Sequence, residues 1–339
     1  MKPTSPSVAP LVLDPTGESL APFALVRQEL EGVERALQAG GESGIAAITA
    51  IGRHLQESGG KRIRAALVLL AGRLAGCAPP TRVRLGAIVE MIHAATLIHD
   101  DVIDAAPTRR GRPSANARWG NPRCVLAGDW LYMQAFRLAL GERHFGVLDV
   151  LISLTQTMVE GELLQLEMQA QVVSPAQHLD LIERKTARLF AAAATLGAIA
   201  AGRPRSVLEP LERFGLHLGR AFQMVDDLLD FTAQEAALGK PVGNDLREGK
   251  MTLPAIYAYE AAGARGRALL ERILQDGDLD TASWSEVRAL VEATGGLERA
   301  RRESREESAL AATALEALPD SPERAALARL PQLVVERER

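Results

Sequence analysis

The stretch AATLIHDDVIDAAPTRRGRP, residues 94–113, sets an apolar helical run against three carboxylates within five positions, then two adjacent arginines. Asp100, Asp101 and Asp104 stand at i, i+1 and i+4. On a helix, i and i+4 lie one above the other and i+1 lies about a quarter-turn away, so three carboxylates can converge beside it. Like charges so close repel, and cations are needed to keep them ionised at the end of a buried segment. Carboxylates are hard ligands suited to Mg2+, an ion that commonly bridges a few of them to phosphate oxygens.

The same spacing returns in FGLHLGRAFQMVDDLLD, residues 214–230, where Asp226, Asp227 and Asp230 again follow an apolar helical run. Two such clusters on separate buried helices can face each other across a cavity, and a metal cluster holding a diphosphate would satisfy both.

Between and beyond them, apolar residues recur at three- and four-residue spacing, as in Leu67, Leu70, Leu74 and then Ile88, Ile92. The pattern predicts long helices over 60–76, 83–104, 113–140, 145–171, 175–202 and 206–232. No strand alternation, hairpin turn or fixed repeat stands out. The fold class expected is all-α, one large helical bundle over residues 19–339, with a flexible proline-rich lead-in over 1–18. The charge-rich segment 297–317 reads as a solvated helix of paired charges.

Composition agrees and excludes alternatives. With 47% apolar and 24% charged residues, the chain has the profile of a soluble globular protein. Aromatics are only 4%, so helix formers dominate. A net charge of −4 gives no pull toward nucleic acid, so anion binding must come from local cations. Cys77 and Cys124 suggest neither a disulfide framework nor a metal site. No secretory signal or membrane-spanning run is recognisable, and a cytoplasmic location is expected, with room for peripheral membrane contact.

Local cations are present. GGKRIR (59–64) puts Lys61 and Arg64 at a helix start, where free N–H groups favour an anion. Arg109 and Arg110 follow the first aspartates, Lys185 and Thr186 lie in ERKTARLF (183–190), and Lys240 and Lys250 flank PVGNDLREG (241–249). Together with the carboxylates they suggest two anion sites, one mediated by metal and one built of Lys and Arg alone.

GGKRIR, HDDVIDAAPTRRGRP, GDWLY, ERKTARLF, GRAFQMVDDLLDF and GKPVGNDLREGKMTLP occur in this order. Over roughly residues 20–260 the chain thereby resembles the trans-isoprenyl diphosphate synthases, the polyprenyl synthetase family. The resemblance implies an all-α bundle around a deep cavity, a homodimer, and head-to-tail condensation of an allylic diphosphate with isopentenyl diphosphate. It implies Mg2+, about three ions per loaded site, held by Asp100, Asp101, Asp104, Asp226 and Asp230, with Asp227 in support. Arg109, Lys185 and Lys240 would contact the allylic diphosphate. Lys61, Arg64, His93 and Arg110 would bind isopentenyl diphosphate. Thr186 and Gln223 would lie near the developing allylic cation, and Lys250 would close the site. His99 reads instead as a core histidine. Two departures are Ala65, where the family commonly has proline, and Asn244, where many long-chain members have aspartate.

Chain length should follow from the helix leading into Asp100. Ala95 and Thr96 sit about one turn below the metals, a level that aromatic rings block in short-chain members. Both are small, and the first motif lacks the two-residue insertion of some geranylgeranyl-forming relatives. A long all-trans product of about C35 to C45 is therefore expected, as in octaprenyl, heptaprenyl and solanesyl synthases, to serve as a quinone side chain. Ile92, Met133 or Phe136 would supply a deeper floor. A short-chain synthase stays open as an alternative, as do, more remotely, a class I terpene cyclase and a non-catalytic synthase subunit.

Overall fold

The computed structural model describes residues 18–57, 62–109, 111–232, 242–277 and 279–336. Lys61, Arg110, Lys240 and the lead-in up to residue 17 lie outside the described residues.

Three helices with stretches buried on every side form the centre. In α3 (Ile63–Leu74) every residue from Ala65 to Gly72 is buried. In α9 (Arg188–Ala200) the same holds from Leu189 to Ala198, and in α4 (Pro79–Ile103) every residue from Leu85 to Ile92 is buried. A helix without a polar stripe can only be stable when neighbours surround it. Small residues set how close those neighbours come. A Cβ on Gly197 of α9 would lie 2.5 Å from the Gly72 Cα of α3, so these two backbones touch.

Around this centre run α1 (Arg27–Gly40), α2 (Ala46–Glu57), α6 (Asn121–Gly141), α7 (Phe145–Met168) and the long α10 (Arg205–Thr232). α1 and α6 pack on α4, and α7 and α10 pack on α9. A second apolar cluster gathers the C-terminal turns of α10 with α12 (Leu253–Ala261), α13 (Ala264–Asp276) and α14 (Thr281–Ala293). α15 (Gly296–Ala314) lies along α10, and α16 (Pro322–Val335) closes over α3.

The helical expectation holds, with four local differences. The helix foreseen over 113–140 is split into α5 (Ala115–Trp119) and α6 by Gly120, whose φ of +81° breaks the ladder. The helix foreseen over 175–202 is interrupted between α8 (Pro175–Ile182) and α9 by a π turn at Glu183–Ala187. A hairpin exists after all. β1 (Thr108–Arg109) pairs antiparallel with β2 (Arg112–Pro113), and two-residue strands are too short to show alternation. Finally, α15 is not merely solvated. Ala300, Ser304, Ser308 and Ala311 are buried, and these small residues form the stripe that lets it lie on α10.

Candidate active site

The first acidic cluster ends α4. Asp100 and Asp101 belong to its last turn, and Asp104 caps it, with the Asp104 N–H donating to the Asp100 carbonyl at 2.8 Å. Each acid has its own surroundings. Asp101 is 1% exposed, and one of its oxygens, Oδ1, lies 2.8 Å from both Nε and Nη2 of Arg109. The hairpin therefore aims Arg109 back at the helix that precedes it. The other oxygen, Oδ2, is buried without a hydrogen-bond partner. A buried carboxylate oxygen left unpaired is costly unless a cation completes it, so this atom fits a hard metal ion.

Asp104 accepts from Lys250 Nζ at 2.9 Å, and the same ammonium lies 2.7 Å from Glu248. Burial works against the Lys250 charge, but the two acids more than compensate and hold its pKa above the ordinary lysine value. Asp100 is the perturbed member. Burial, reinforced by Glu162 and Asp104 and opposed by Lys185 and Arg109, pushes its pKa up to about 7. Among the described residues no three His, Cys, Asp or Glu side chains already form a closed metal cage. Arg109 and Lys250 stand on two of the three carboxylates.

Lys185 and Thr186 are presented by the π turn. Such turns often occur at functional sites, because the extra residue re-aims the side chains around it. Two glycines hold the turn. A Cβ on Gly161 of α7 would meet Lys185 Cγ at 3.0 Å, and one on Gly219 of α10 would meet the Ala187 Cα at 2.5 Å. Lys185 Nζ lies 2.5 Å from Glu162 and donates to Gln165 at 2.9 Å. These two α7 residues were missed from the sequence, although their three-residue spacing in EGELLQLE puts them on one helix face.

The second cluster lies on α10, and its three acids divide. Asp226 is exposed, whereas Asp227 and Asp230 are 2% and 1% exposed. Asp227 accepts from His178 Nε2 at 2.8 Å and from Gln223 Nε2 at 3.1 Å. Asp230 turns away to the segment opening α11 (Asn244–Arg247), and its two oxygens accept the backbone N–H groups of Asn244 and Asp245 at 3.3 and 3.2 Å. Both oxygens of Asp230, expected as a metal ligand, thus also meet the N-terminal end of a helical turn, as an N-terminal acid does elsewhere. Asp226 is the acid of this motif that faces outward.

Arg64 and His93 meet on α3 and α4. Arg64 Nη1 donates to His93 Nε2 at 3.1 Å, and the guanidinium carbon lies 4.9 Å from the Phe190 ring centroid and 5.8 Å from that of Phe222. The two rings fix the guanidinium plane by cation–π attraction. His99 instead bonds the Val125 carbonyl at 3.1 Å, packed against Gly128, and serves the α4–α6 seam.

The chain-length residues scatter. Ala95 is fully buried in a cluster with Ile51, Ile98, Cys124, Ala127 and Leu131. Thr96 is half-buried, its hydroxyl donating to the His93 carbonyl at 2.8 Å. Ile92 is buried in the main core and Phe136 packs against it. Met133 does not floor a chamber within this chain, since it is 62% exposed on the outer face of α6.

Residues 45–292 match the polyprenyl synthetase family. The chain is 39% identical to an all-trans-nonaprenyl-diphosphate synthase (geranyl-diphosphate specific) of Rhodobacter capsulatus, over 96% of this chain and 99% of that protein. It is 37% identical to the octaprenyl diphosphate synthase of Escherichia coli strain K12, over 93% and 98% respectively. Among solved structures, a polyprenyl synthase from Caulobacter crescentus CB15, complexed with calcium and isoprenyl diphosphate, superposes with a TM-score of 0.91 at 36% identity. That superposition covers 96% of this chain and 100% of the other. An acid-tipped helix ringed by cations is thus joined to family-wide similarity along nearly the whole chain, which belongs to the polyprenyl synthetase family.

Proposed function

We propose that the protein is a Mg2+-dependent prenyltransferase that adds isopentenyl diphosphate repeatedly to an allylic diphosphate and releases a long all-trans polyprenyl diphosphate. The observation that carries this reading is the end of α4, where Asp101 keeps one buried oxygen unpaired while Arg109, Lys185 and Lys250 stand around the acidic cluster. Acids for a metal and cations for a diphosphate are both in place.

Asp100, Asp101 and Asp104 on α4 and Asp226 on α10 would hold the metal, which when bound supplies Lewis-acid neutralisation of the leaving diphosphate. The remaining steps belong to the chain's own residues. Lys185 and Arg109, with Lys240 beyond the described residues, take up oxygen charge on the allylic diphosphate. Arg64 and His93, with Lys61 and Arg110, hold isopentenyl diphosphate through hydrogen bonds alone, so it keeps its diphosphate. The allylic C–O bond breaks, the terminal alkene carbon of isopentenyl diphosphate bonds to the allylic carbon, and a proton passes to the departing diphosphate. Thr186 and Gln223 lie beside the developing cation. The largely apolar bundle interior excludes water that would quench it.

Product length is read by mass spectrometry after incubating purified protein, Mg2+ and labelled isopentenyl diphosphate with geranyl or farnesyl diphosphate. Products near C35 to C45 support the long-chain reading, in which the small side chains of Ala95 and Thr96, about one turn below the metals, do not stop the growing chain. Products that stop at C15 to C20 keep the reaction and replace the long-chain reading with a short-chain one. No elongation with either primer overturns the proposal.

A homodimer accompanies this reading. Leu126, Met133 and Leu140 on α6 are exposed seven residues apart, and so are Phe145, Ile152, Val159 and Leu166 on α7. A seven-residue repeat of exposed apolar side chains is the pattern of helices that pack on other helices. Phe145, at 82% exposed, is unusual for a lone chain. Light scattering should report a dimer for the wild type and a monomer for Met133→Glu with Val159→Glu. Among the described residues no helix is long and apolar enough to cross a membrane.

A further inference from the structure

The sequence singles out both aspartates flanking Leu228 and Leu229, yet Asp227 and His178 have no part in metal or diphosphate binding as derived above. We propose that His178 is a positioning residue for the condensation, setting through Asp227 the direction in which the Gln223 amide and the Thr186 hydroxyl face.

The hydrogen bonds form one directed chain. His178 Nε2 donates to Asp227 Oδ2 at 2.8 Å, and Gln223 Nε2 donates to Asp227 Oδ1 at 3.1 Å. Thr186 Oγ1 donates to Gln223 Oε1 at 2.9 Å. An ionised carboxylate only accepts, so Asp227 dictates which end of the Gln223 amide turns toward it. The amide oxygen then faces Thr186, whose single hydroxyl proton is used up on it. What Thr186 has left is lone pairs. His178 and Asp227 are both buried, so their link acts at low dielectric and water cannot readily substitute for a lost partner, while Gln223 is half-buried.

The local sequence explains how His178 reaches this place. α8 opens on a capping box, with the Ser174 hydroxyl accepting from the Gln177 N–H and the Gln177 side chain accepting from the Ser174 N–H. Pro175 starts the helix, and His178 follows in its first turn. Gln223 and Asp227 are i and i+4 on α10, one above the other.

Removing the His178 donor leaves one Asp227 oxygen buried and unpaired. The carboxylate can then turn, drawing the Gln223 NH2 with it, so the amide oxygen and the Thr186 hydroxyl bonded to it shift from their places. Lone pairs that faced the cation would then be misaimed, disfavouring it without affecting how either diphosphate is held. The effect belongs to turnover rather than to binding. The inference rests on the reading that Thr186 and Gln223 lie beside the allylic cation.

His178→Met removes the donor at similar volume, and His178→Gln restores an N–H near the position of the imidazole Nε2. Steady-state kinetics should show a fall in kcat of about 10- to 100-fold for His178→Met, as for other outer-shell partners, with KM for both substrates near wild type. His178→Gln should recover most of the turnover. In the metal-free wild type, 15N-histidine NMR should show a proton on His178 Nε2 that exchanges slowly with solvent. Wild-type kcat in His178→Met, a loss confined to KM, equal impairment in both variants, or an unprotonated Nε2 would each overturn the proposal. If His178→Met does not fold, His178→Gln and the NMR signal decide it. Thr186→Ala separates the two levels. If it turns over normally, the cation-site reading falls; if it is slow while His178→Met is fast, only the role of His178 falls.

Discussion

The two acidic motifs share one spacing and meet opposite fates. On α4, Asp101 and Asp104 reach outward from a helix end to cations borne by other segments, Arg109 of the hairpin and Lys250 beyond α11. On α10, two of three acids are turned inward, Asp227 to His178 and Gln223 and Asp230 to the backbone N–H groups of Asn244 and Asp245. The spacing puts acids on one side of a helix; what they do depends on what comes to that side. At the α4 end the arrivals are long cationic side chains, which can yield to a metal and a diphosphate. At α10 they are buried donors that cannot leave without exposing unpaired atoms.

The sharpest break of this contrast is Asp101→Asn. An amide cannot serve as a charged ligand, and several kcal/mol of charge stabilisation is at stake, so kcat should fall on the order of 10²- to 10³-fold. Thermal stability should change little or rise, since a buried charge is removed. A near-normal kcat would deny the α4 acids their metal role.

The next effect is on pH. The Asp100 pKa of about 7 in the metal-free site means that a proton competes with the metal. Below pH 7 apparent Mg2+ affinity should fall by about tenfold per pH unit, one proton leaving for each ion bound. Titration calorimetry from pH 8 to pH 6 reads this directly. The sign for stability is opposite. Because the folded pKa lies above the model-peptide value of 3.8, the metal-free protein should lose stability as pH rises from about 4 to 7, and Mg2+ should restore it. A pH-independent affinity would place Asp100 outside the metal site.

The smallest effect separates the motifs most cleanly. Asp230→Asn turns an NH2 toward backbone N–H groups that need an acceptor, costing about 1–3 kcal/mol of stability. The melting temperature should drop while Mg2+ affinity stays close to that of the wild type. If affinity collapses instead, Asp230 is a ligand and the division of labour within α10 fails.

Much of this was legible in the sequence. The periodicity of α3, α4 and α10 and both acidic motifs are local properties, and of the expected cations Arg109 and Lys250 bond acids of the first motif. The sequence was silent where one segment answers another. Nothing near His178 points to Asp227, 49 residues away. Glu162 and Gln165 gain meaning only when the π turn brings Lys185 against α7. Met133 shows the same limit, since it is exposed on α6 and an apolar residue on a helix does not by itself say what it faces.

What the sequence determined by itself is the set of helices and the chemistry available at their ends, because both follow from periodicity and side-chain type over a few turns. The tertiary structure alone decided which acids meet long cationic side chains, which hold a loop and which bond an amide. Most of those donors come from other segments, as far as 146 residues away in the chain, and a residue's own neighbours in sequence do not encode the partner that will reach it.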